Sequence, residues 1–349
     1  VLDLKRILFF LTLVIITHFS SRALDKPLEE KREALTKAFK TAFEASIPEH
    51  FESLPGGFSS PGIYKVTVKN RPYVVRLSHP KRKVQDEQRT MTCLALSSER
   101  QISPKVYYTS AEDGLVIMDY IEPKKLSWEE LTDASNLKEL ASVIKRLHAG
   151  PNFLEFLSVF DVRRSFERML GDEKPQFLDE LSVELAMIEK LLKESEIDAC
   201  PCHHDLKLDN LLFDGEKFWL IDWEAACQGN ILFDLATVIT FVAMTMDQEE
   251  IFLKSYFGEK ITDMQRYHLN LMKQVVLCYY GTAHLMVAKI RYQQSPITQD
   301  PSSLPEAENF LRSHIKNSSS SISPENIQEF GLVLLNQAFK NLQYMKNKI

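Results

Sequence analysis

The sequence predicts an α+β protein of two lobes, a small β-rich one followed by a large, mainly helical one. Three observations lead there. Segments rich in β-branched and aromatic residues crowd the first third of the chain. The stretch "IEPKK", residues 121–125, breaks that pattern at Pro123. Beyond it, apolar residues recur at helical spacing almost to the end, interrupted by one short β-rich insert. A length of 349 residues suits such a plan. The divisions read from the sequence are 1–24, 25–119 and 120–349.

Residues 1–24 carry Lys5 and Arg6, then a mostly apolar run from Ile7 to Ile16, then small residues at Ser21 and Ala23. This resembles a secretory signal or a membrane anchor. The run is short for a span, which needs about 20 residues. Basic residues follow it at Arg22, Lys26, Lys31, Arg32 and Lys37, which by the positive-inside rule speaks against secretion. Membrane contact through residues 7–19 and a secretory signal both stay open as expectations.

From Pro27 to Ala45, Leu28, Leu35, Phe39 and Phe43 recur near helical spacing. "GIYKVTV" (62–68) and "PYVVRLS" (72–78) read as strands joined by a turn at Lys69, Asn70 and Arg71. Residues 81–99 read as a helix and "LVIMDY" (115–120) as a strand. Residues 128–197 read as helices, one closing at Leu147 and His148 before Gly150. In "NLLFDGEKFWLID" (210–222), Asp214 and Gly215 make a hairpin turn between short strands. Helices resume at Ile231, and Ser323-Pro324 starts the last one after a polar loop.

Composition narrows the function. The formal net charge is −6. That argues against nucleic acid as a partner, since phosphate backbones need a basic surface, and is compatible with a cationic ligand. Five cysteines in a long chain do not suggest a disulfide framework. Cys200 and Cys202, with His203 and His204, suggest zinc, but no second ligand pair with metal spacing follows. Ordinary thiols are the preferred reading.

"CHHDLKLDNLLF", residues 202–213, concentrates two histidines, two aspartates, a lysine and an asparagine ahead of an apolar strand. Asp and Asn favour turns, yet phosphoryl transfer from ATP needs the same residue types. It needs a carboxylate to take the acceptor hydroxyl's proton, oxygen ligands for magnesium, and a cation on the non-reacting phosphates. Asp205 supplies the first. Asn210 and Asp222, at the two ends of the insert, supply the second. Arg76, on a strand, pairs with Glu87 on the next helix and supplies the third. Gly56, Gly57, Ser59 and Ser60 form a loop able to cover phosphates.

These residues resemble the aminoglycoside phosphotransferase and choline kinase superfamily, which has a bilobal protein-kinase-like fold. The family loop is His, any residue, Asp, four residues, Asn, here His203, Asp205 and Asn210. Cys202 before the His, Glu224 in "IDWE", Arg76 in place of a lysine, "FDLAT" with Asp234, and "FLKSYFG" (252–258) point toward the bacterial choline/ethanolamine kinases. The likeness covers roughly residues 50–260. His204 departs from it, the glycine loop is sparse, and beyond about 265 the acceptor pocket has no residue-by-residue match.

The resemblance implies an ATP- and Mg2+-dependent phosphotransferase acting on a small hydroxyl acceptor, an amino alcohol such as choline or ethanolamine. Aminoglycoside or thiamine kinases, a protein kinase and a pseudokinase scaffold are the alternatives. It implies that His203 and Asp234 brace the loop, and that the backbone at Met118, Asp119 and Ile121 contacts adenine. Glu224 and Trp223 are placed on the acceptor side. Trp223, Tyr279 and Tyr280 either enclose a cation or are core. Lys207 either assists transfer or is a solvated charge. ATP chemistry places the catalytic part in the cytoplasm, with the N-terminal segment as a tether or a signal.

Overall fold

The computed structural model describes residues 25–54, 62–194, 199–259, 261–293, 304–316 and 326–347. The signal-like segment 1–24, the phosphate-covering loop with Gly56, Gly57, Ser59 and Ser60, and the Ser323-Pro324 helix start lie outside them. The chain divides into two compact units. The first runs to Pro123 and includes Trp219–Glu224; the second comprises Lys124–Phe218 and Ala225 onward.

In the first unit, helices α1 (Asp25–Glu30) and α2 (Arg32–Phe43) precede a five-stranded antiparallel sheet. Its strands are β1 (Glu52–Ser53), β2 (Gly62–Val68), β3 (Arg71–Leu77), β4 (Val106–Ser110) and β5 (Leu115–Asp119), in the order β1-β2-β3-β5-β4. Helix α3 (Val84–Glu99) connects β3 to β4. The β2–β3 turn has two residues, since Val68 pairs with Arg71. Lys69 (φ 48°) and Asn70 (φ 62°) are both left-handed, the pattern of a turn whose twist matches its strands.

Strand period 2 then decides which side chains reach the core. Tyr64, Val66 and Val68 of β2, with Tyr73, Val75 and Leu77 of β3, pack with Leu115, Ile117 and the Leu35 and Phe39 of α2. Burying each such side chain contributes roughly 1.5–3 kcal/mol. Arg76 lies between Val75 and Leu77, so the same alternation turns it to the opposite face of the sheet. Strand β4, "VYYTS", carries no clean alternation and has no counterpart in the sequence reading. Its residues are half-buried rather than segregated by face.

The second unit is helical. It contains α4 (Trp128–Leu131), α5 (Ala134–His148), α6 (Val159–Leu170) and α7 (Phe177–Glu194). After the short strands β6 (Cys200–Cys202), β7 (Leu211–Phe213), β8 (Phe218–Leu220) and β9 (Cys227–Gly229) come α8 (Ile231–Val242), α9 (Met246–Phe257), α10 (Asp263–Tyr292), α11 (Ala307–Lys316) and α12 (Ile327–Lys346). Strands β6 and β9 pair antiparallel, with Cys202 opposite Cys227; three residues each is too short for a period to show. The turn after β7 is built by Asp214, whose carboxylate accepts from the backbone N–H of Glu216 and Lys217, with Gly215 at φ 107°. Helix α8 is apolar on every face and buried, as such helices must be. Asn230 caps its N-terminus by accepting from Leu232 N–H, and Asp234 sits in its first turn.

Helices α10 and α12 cross at glycines. A Cβ on Gly281 would meet the Gly331 carbonyl at 2.9 Å and Leu335 Cγ at 2.7 Å; one on Gly331 would meet the Gly281 carbonyl at 2.9 Å. Alanine gains about 1 kcal/mol of helix propensity over glycine. Overpacking costs about 1–3 kcal/mol, and a backbone carbonyl cannot swing aside. Gly331→Ala is therefore expected to lower stability, by up to about 2 kcal/mol net. A denaturant titration checks this, and an unchanged or raised midpoint would refute the crossing.

Candidate active site

Each unit contributes a cluster of the residues singled out above. In the first unit, Arg76 reaches Glu87 Oε2 through Nη2 at 3.4 Å and Glu224 Oε1 through Nη1 at 3.2 Å. Arg82 pairs with the same two carboxylates, its Nε 2.5 Å from Glu87 Oε1 and its Nη1 against Glu224. Arg89 Nη2 donates to the Glu224 backbone carbonyl at 2.6 Å. Two guanidinium groups and two carboxylates thus form a buried, charge-balanced square. Removing one member of such a set costs about 3–5 kcal/mol, because its partners stay buried without compensation. Glu87, not the neighbouring Asp86, is the helix residue that faces Arg76, and it is 2 % exposed.

A cavity in this unit is lined by Arg76, Thr90, Leu94, Met118, Ile221 and Asp222, with Pro104 and Trp223 completing it. Its walls are mostly apolar, its charged groups are few, and its volume is about 30 Å³, room for little more than a water molecule. Met118 is therefore a wall of the cavity. Asp119 uses its N–H on Lys105 O at 2.8 Å and its carboxylate on Tyr107 O–H at 3.0 Å. Ile121 lies just beyond β5 and is half-buried. Asp222 has φ 64°, an uncommon conformation for a residue with a Cβ, and it begins a turn into the short helix Trp223–Ala225.

That turn positions two residues that the sequence assigned to the acceptor side. Glu224, placed by the sequence on the acceptor side, is 3 % exposed and belongs to the arginine square. Trp223 is buried and donates its indole N–H to Leu220 O at 3.2 Å. Both side chains are thus engaged within the first unit, Glu224 with the arginines and Trp223 at the cavity wall. Tyr279 is packed edge-on against Phe166 and Phe233, so it too is core.

In the second unit, the loop after β6 carries Asp205. Its Oδ1 accepts from the Tyr280 hydroxyl at 2.9 Å; its Oδ2 accepts from Asn210 Nδ2 at 2.8 Å and faces Lys207 Nζ at 3.0 Å. Asn210 Nδ2 also donates to the Asp205 carbonyl at 2.7 Å, which leaves its Oδ1 as the atom available to a cation. Lys207 is thus an ion-pair partner of Asp205. Tyr280, on α10, is the functional residue the sequence reading left open between cage and core. Burial, then the nearby Asp205 carboxylate, pushes its phenol well above the ordinary range, so it stays protonated and donates.

Asp234 fixes the loop from behind. Its Oδ2 accepts from His203 N–H at 2.7 Å and from His148 Nε2 at 3.1 Å, and its Oδ1 accepts from His204 N–H at 2.8 Å. Burial alone would raise this carboxyl; the His148 hydrogen bond and the nearby imidazoles of His148, His204 and His203 outweigh it and hold it below the usual range. His204, at φ 61°, packs its ring over Gly229, where a Cβ would lie 2.2 Å from Nε2, and its Nδ1 is 2.9 Å from Cys227 Sγ. His204 is therefore a filler of the loop's underside.

Residues 50–269 match the family model described as the phosphotransferase enzyme family. The chain belongs to that family. The LicA protein of Haemophilus influenzae is 28% identical over 156 residues, 43% of this chain and 58% of LicA, so the match spans little more than half of that relative. A solved choline/ethanolamine kinase family protein from Mesorhizobium loti has a TM-score of 0.62 at 17% identity, covering 88% of this chain and 99% of its own. A solved choline kinase LicA from Streptococcus pneumoniae has a TM-score of 0.60, also at 17% identity, covering 82% and 98%. At these identities the solved structures share the fold, and it is the α+β, two-lobed, protein-kinase-like one.

Two titrating groups near Asp205 act in opposite directions on stability. Desolvation lowers His284 from 6.5 to about 4. The unfolded chain then binds more protons between those values, so the His284 contribution is complete above about pH 6.5 and is lost as pH falls through about 4. Burial, then the neighbouring Asp205, raises Asp209 from 3.8 to about 6 against the pull of Lys207, and its Oδ1 has no hydrogen-bond partner. Its contribution is complete below about pH 3.8 and is lost as pH rises through about 6. Chemical denaturation from pH 4 to 6 is expected to show a steeper rise in stability with pH in Asp209→Asn than in the parent. His284→Gln should show the opposite change of slope. Parallel pH profiles for all three proteins would refute the assignment.

Proposed function

We propose that the protein transfers the γ-phosphoryl group of ATP to the hydroxyl of a small amino alcohol of the choline or ethanolamine kind. One observation carries this reading: a half-buried aspartate, Asp205, held on a loop by a phenol, an amide and an ammonium group. A carboxylate fixed in that way suits a base that orients an acceptor hydroxyl and takes its proton as the phosphorus–oxygen bond forms. Tyr280 and Asn210 fix its two oxygens, and Lys207 sets its field and offers a cation to the moving phosphoryl group.

Arg76, oriented by Glu87 and Glu224, is the group proposed to meet the non-reacting phosphates. The apolar side chains of Met118, Leu94 and Ile221 are the proposed surface against which the adenine lies, with the Asp119 carbonyl and the Ile121 backbone offered to its edge. The loop at Gly56, Gly57, Ser59 and Ser60 is proposed to cover the phosphates. Asn210 Oδ1 and the Asp222 carboxylate are hard oxygen donors, the type magnesium takes together with phosphate oxygens. When bound, magnesium would neutralise charge on the phosphates. The amino-alcohol acceptor is supported by the choline and ethanolamine kinases among the structural relatives and by the acidic balance of the chain.

The test is transfer of labelled γ-phosphate by the full chain to choline, ethanolamine, thiamine, several aminoglycosides and a protein substrate. Turnover on an amino alcohol is expected, with a drop of about 10²–10⁴-fold in Asp205→Asn, the usual contribution of general acid–base catalysis. Nucleotide affinity should be retained. Turnover confined to protein or aminoglycoside would replace the acceptor assignment. Full activity in Asp205→Asn would overturn the mechanism.

A further inference from the structure

Behind the loop, in the second unit, lies a group of side chains that phosphoryl transfer does not use. A ring nitrogen of His148 and the sulfurs of Cys200 and Cys202 all lie within 4.8 Å of one another. Two thiols and an imidazole form a donor set suited to a borderline-soft ion and poorly suited to magnesium. The geometry supports this. Cys200 Sγ and Cys202 Sγ are 3.8 Å apart. Two thiolates at about 2.3 Å from one tetrahedral zinc are separated by roughly 2 × 2.3 × sin 54.7°, about 3.8 Å.

The histidine is also oriented for the task. The Asp234 carboxylate lies 3.1 Å from His148 Nε2, so Nε2 is the nitrogen placed to donate to it. In the neutral imidazole that leaves Nδ1 as the ligand atom. A carboxylate on the far nitrogen of a histidine ligand is the arrangement that fixes the tautomer in metal centres. The Tyr256 hydroxyl sits 2.6 Å from Nδ1 and brings an oxygen to the same place. Cys202 is buried and Cys200 is half-exposed, so the second offers the entry side.

We propose that His148, Cys200 and Cys202 bind a metal ion of the zinc class, with Nδ1 and two thiolates as ligands. The ion would tie β6 to the end of α5, on the opposite side of His148 from Asp234. The site is distinct from the proposed magnesium ligands Asn210 and Asp222, and it stands whether or not the phosphoryl-transfer reading holds.

The experiment is a cobalt(II) titration of the full chain, stripped with a chelator and kept reduced, with all five thiols counted by a thiol reagent in a denatured aliquot. One equivalent is expected to bind, with thiolate-to-cobalt charge-transfer and tetrahedral ligand-field bands. Zinc should displace it, and magnesium should not. Binding should raise the melting temperature, since only the folded chain presents the three ligands together. Cys200→Ser is half-exposed and should leave the fold intact. It is expected to weaken the charge-transfer band and the affinity, whereas Cys93→Ser should leave both unchanged. Absence of the bands in the reduced parent protein, or an unaltered band in Cys200→Ser, would overturn the proposal. None of these readouts involves nucleotide or acceptor, so failure here and failure of the kinase assignment are separate results.

Discussion

The Asp234 carboxylate holds the second unit's chemistry in place. It receives two successive backbone N–H groups, from His203 and His204, and an imidazole N–H from His148. A carboxylate with 0 % exposure is costly to bury unless charge-assisted hydrogen bonds satisfy it. Its position in the first turn of α8 adds the favourable end of the helix dipole. The result is a rigid point from which the chain leaves β6, passes Asp205 and turns back at Asn210. Asp205 can be held by Tyr280 and Asn210 only because the residues before it have no freedom to drift.

The first unit solves a different problem with the same physics. Arg76 is placed by strand alternation, with Val75 and Leu77 committed to the core on the other face. Once turned away from the core, a guanidinium needs partners. It finds Glu87 from α3 and Glu224 from the short helix after Asp222. Arg82 balances the second negative charge. The cluster therefore links three chain segments through charge that none of them could bury alone.

Much of this was legible in the sequence. The α+β class followed from where the two periodicities occur. The β2–β3 hairpin followed from alternation around Lys69-Asn70; spacing singled out Asp205, Asn210 and Asp222, and the family resemblance singled out Asp234, which does accept from the loop's His203 and His204 amides. What escaped depends on contacts between distant residues. Tyr280 is one apolar-looking position of a 30-residue helix, and nothing in its neighbourhood announces that its hydroxyl meets Asp205. His148 reads as the end of a helix, yet it completes the cysteine pair for which the sequence offered only the adjacent His203 and His204. Arg82 and Arg89 lie in an ordinary charged stretch. The pairing of Glu224 with Arg76 and Arg82 also escaped, because it joins segments distant in sequence across the left-handed turn at Asp222.

The most direct test is to replace Asp234 with Asn, which keeps the shape but removes the charge and one pair of acceptor sites, and to follow both amide hydrogen exchange and phosphoryl transfer. The His203 and His204 amides should lose protection while strands β2, β3 and β5 keep theirs. Transfer should fall by about 10²-fold, the usual cost of displacing a catalytic group by about 1 Å, with nucleotide affinity unchanged. Undiminished protection of those two amides together with parental turnover would contradict the account.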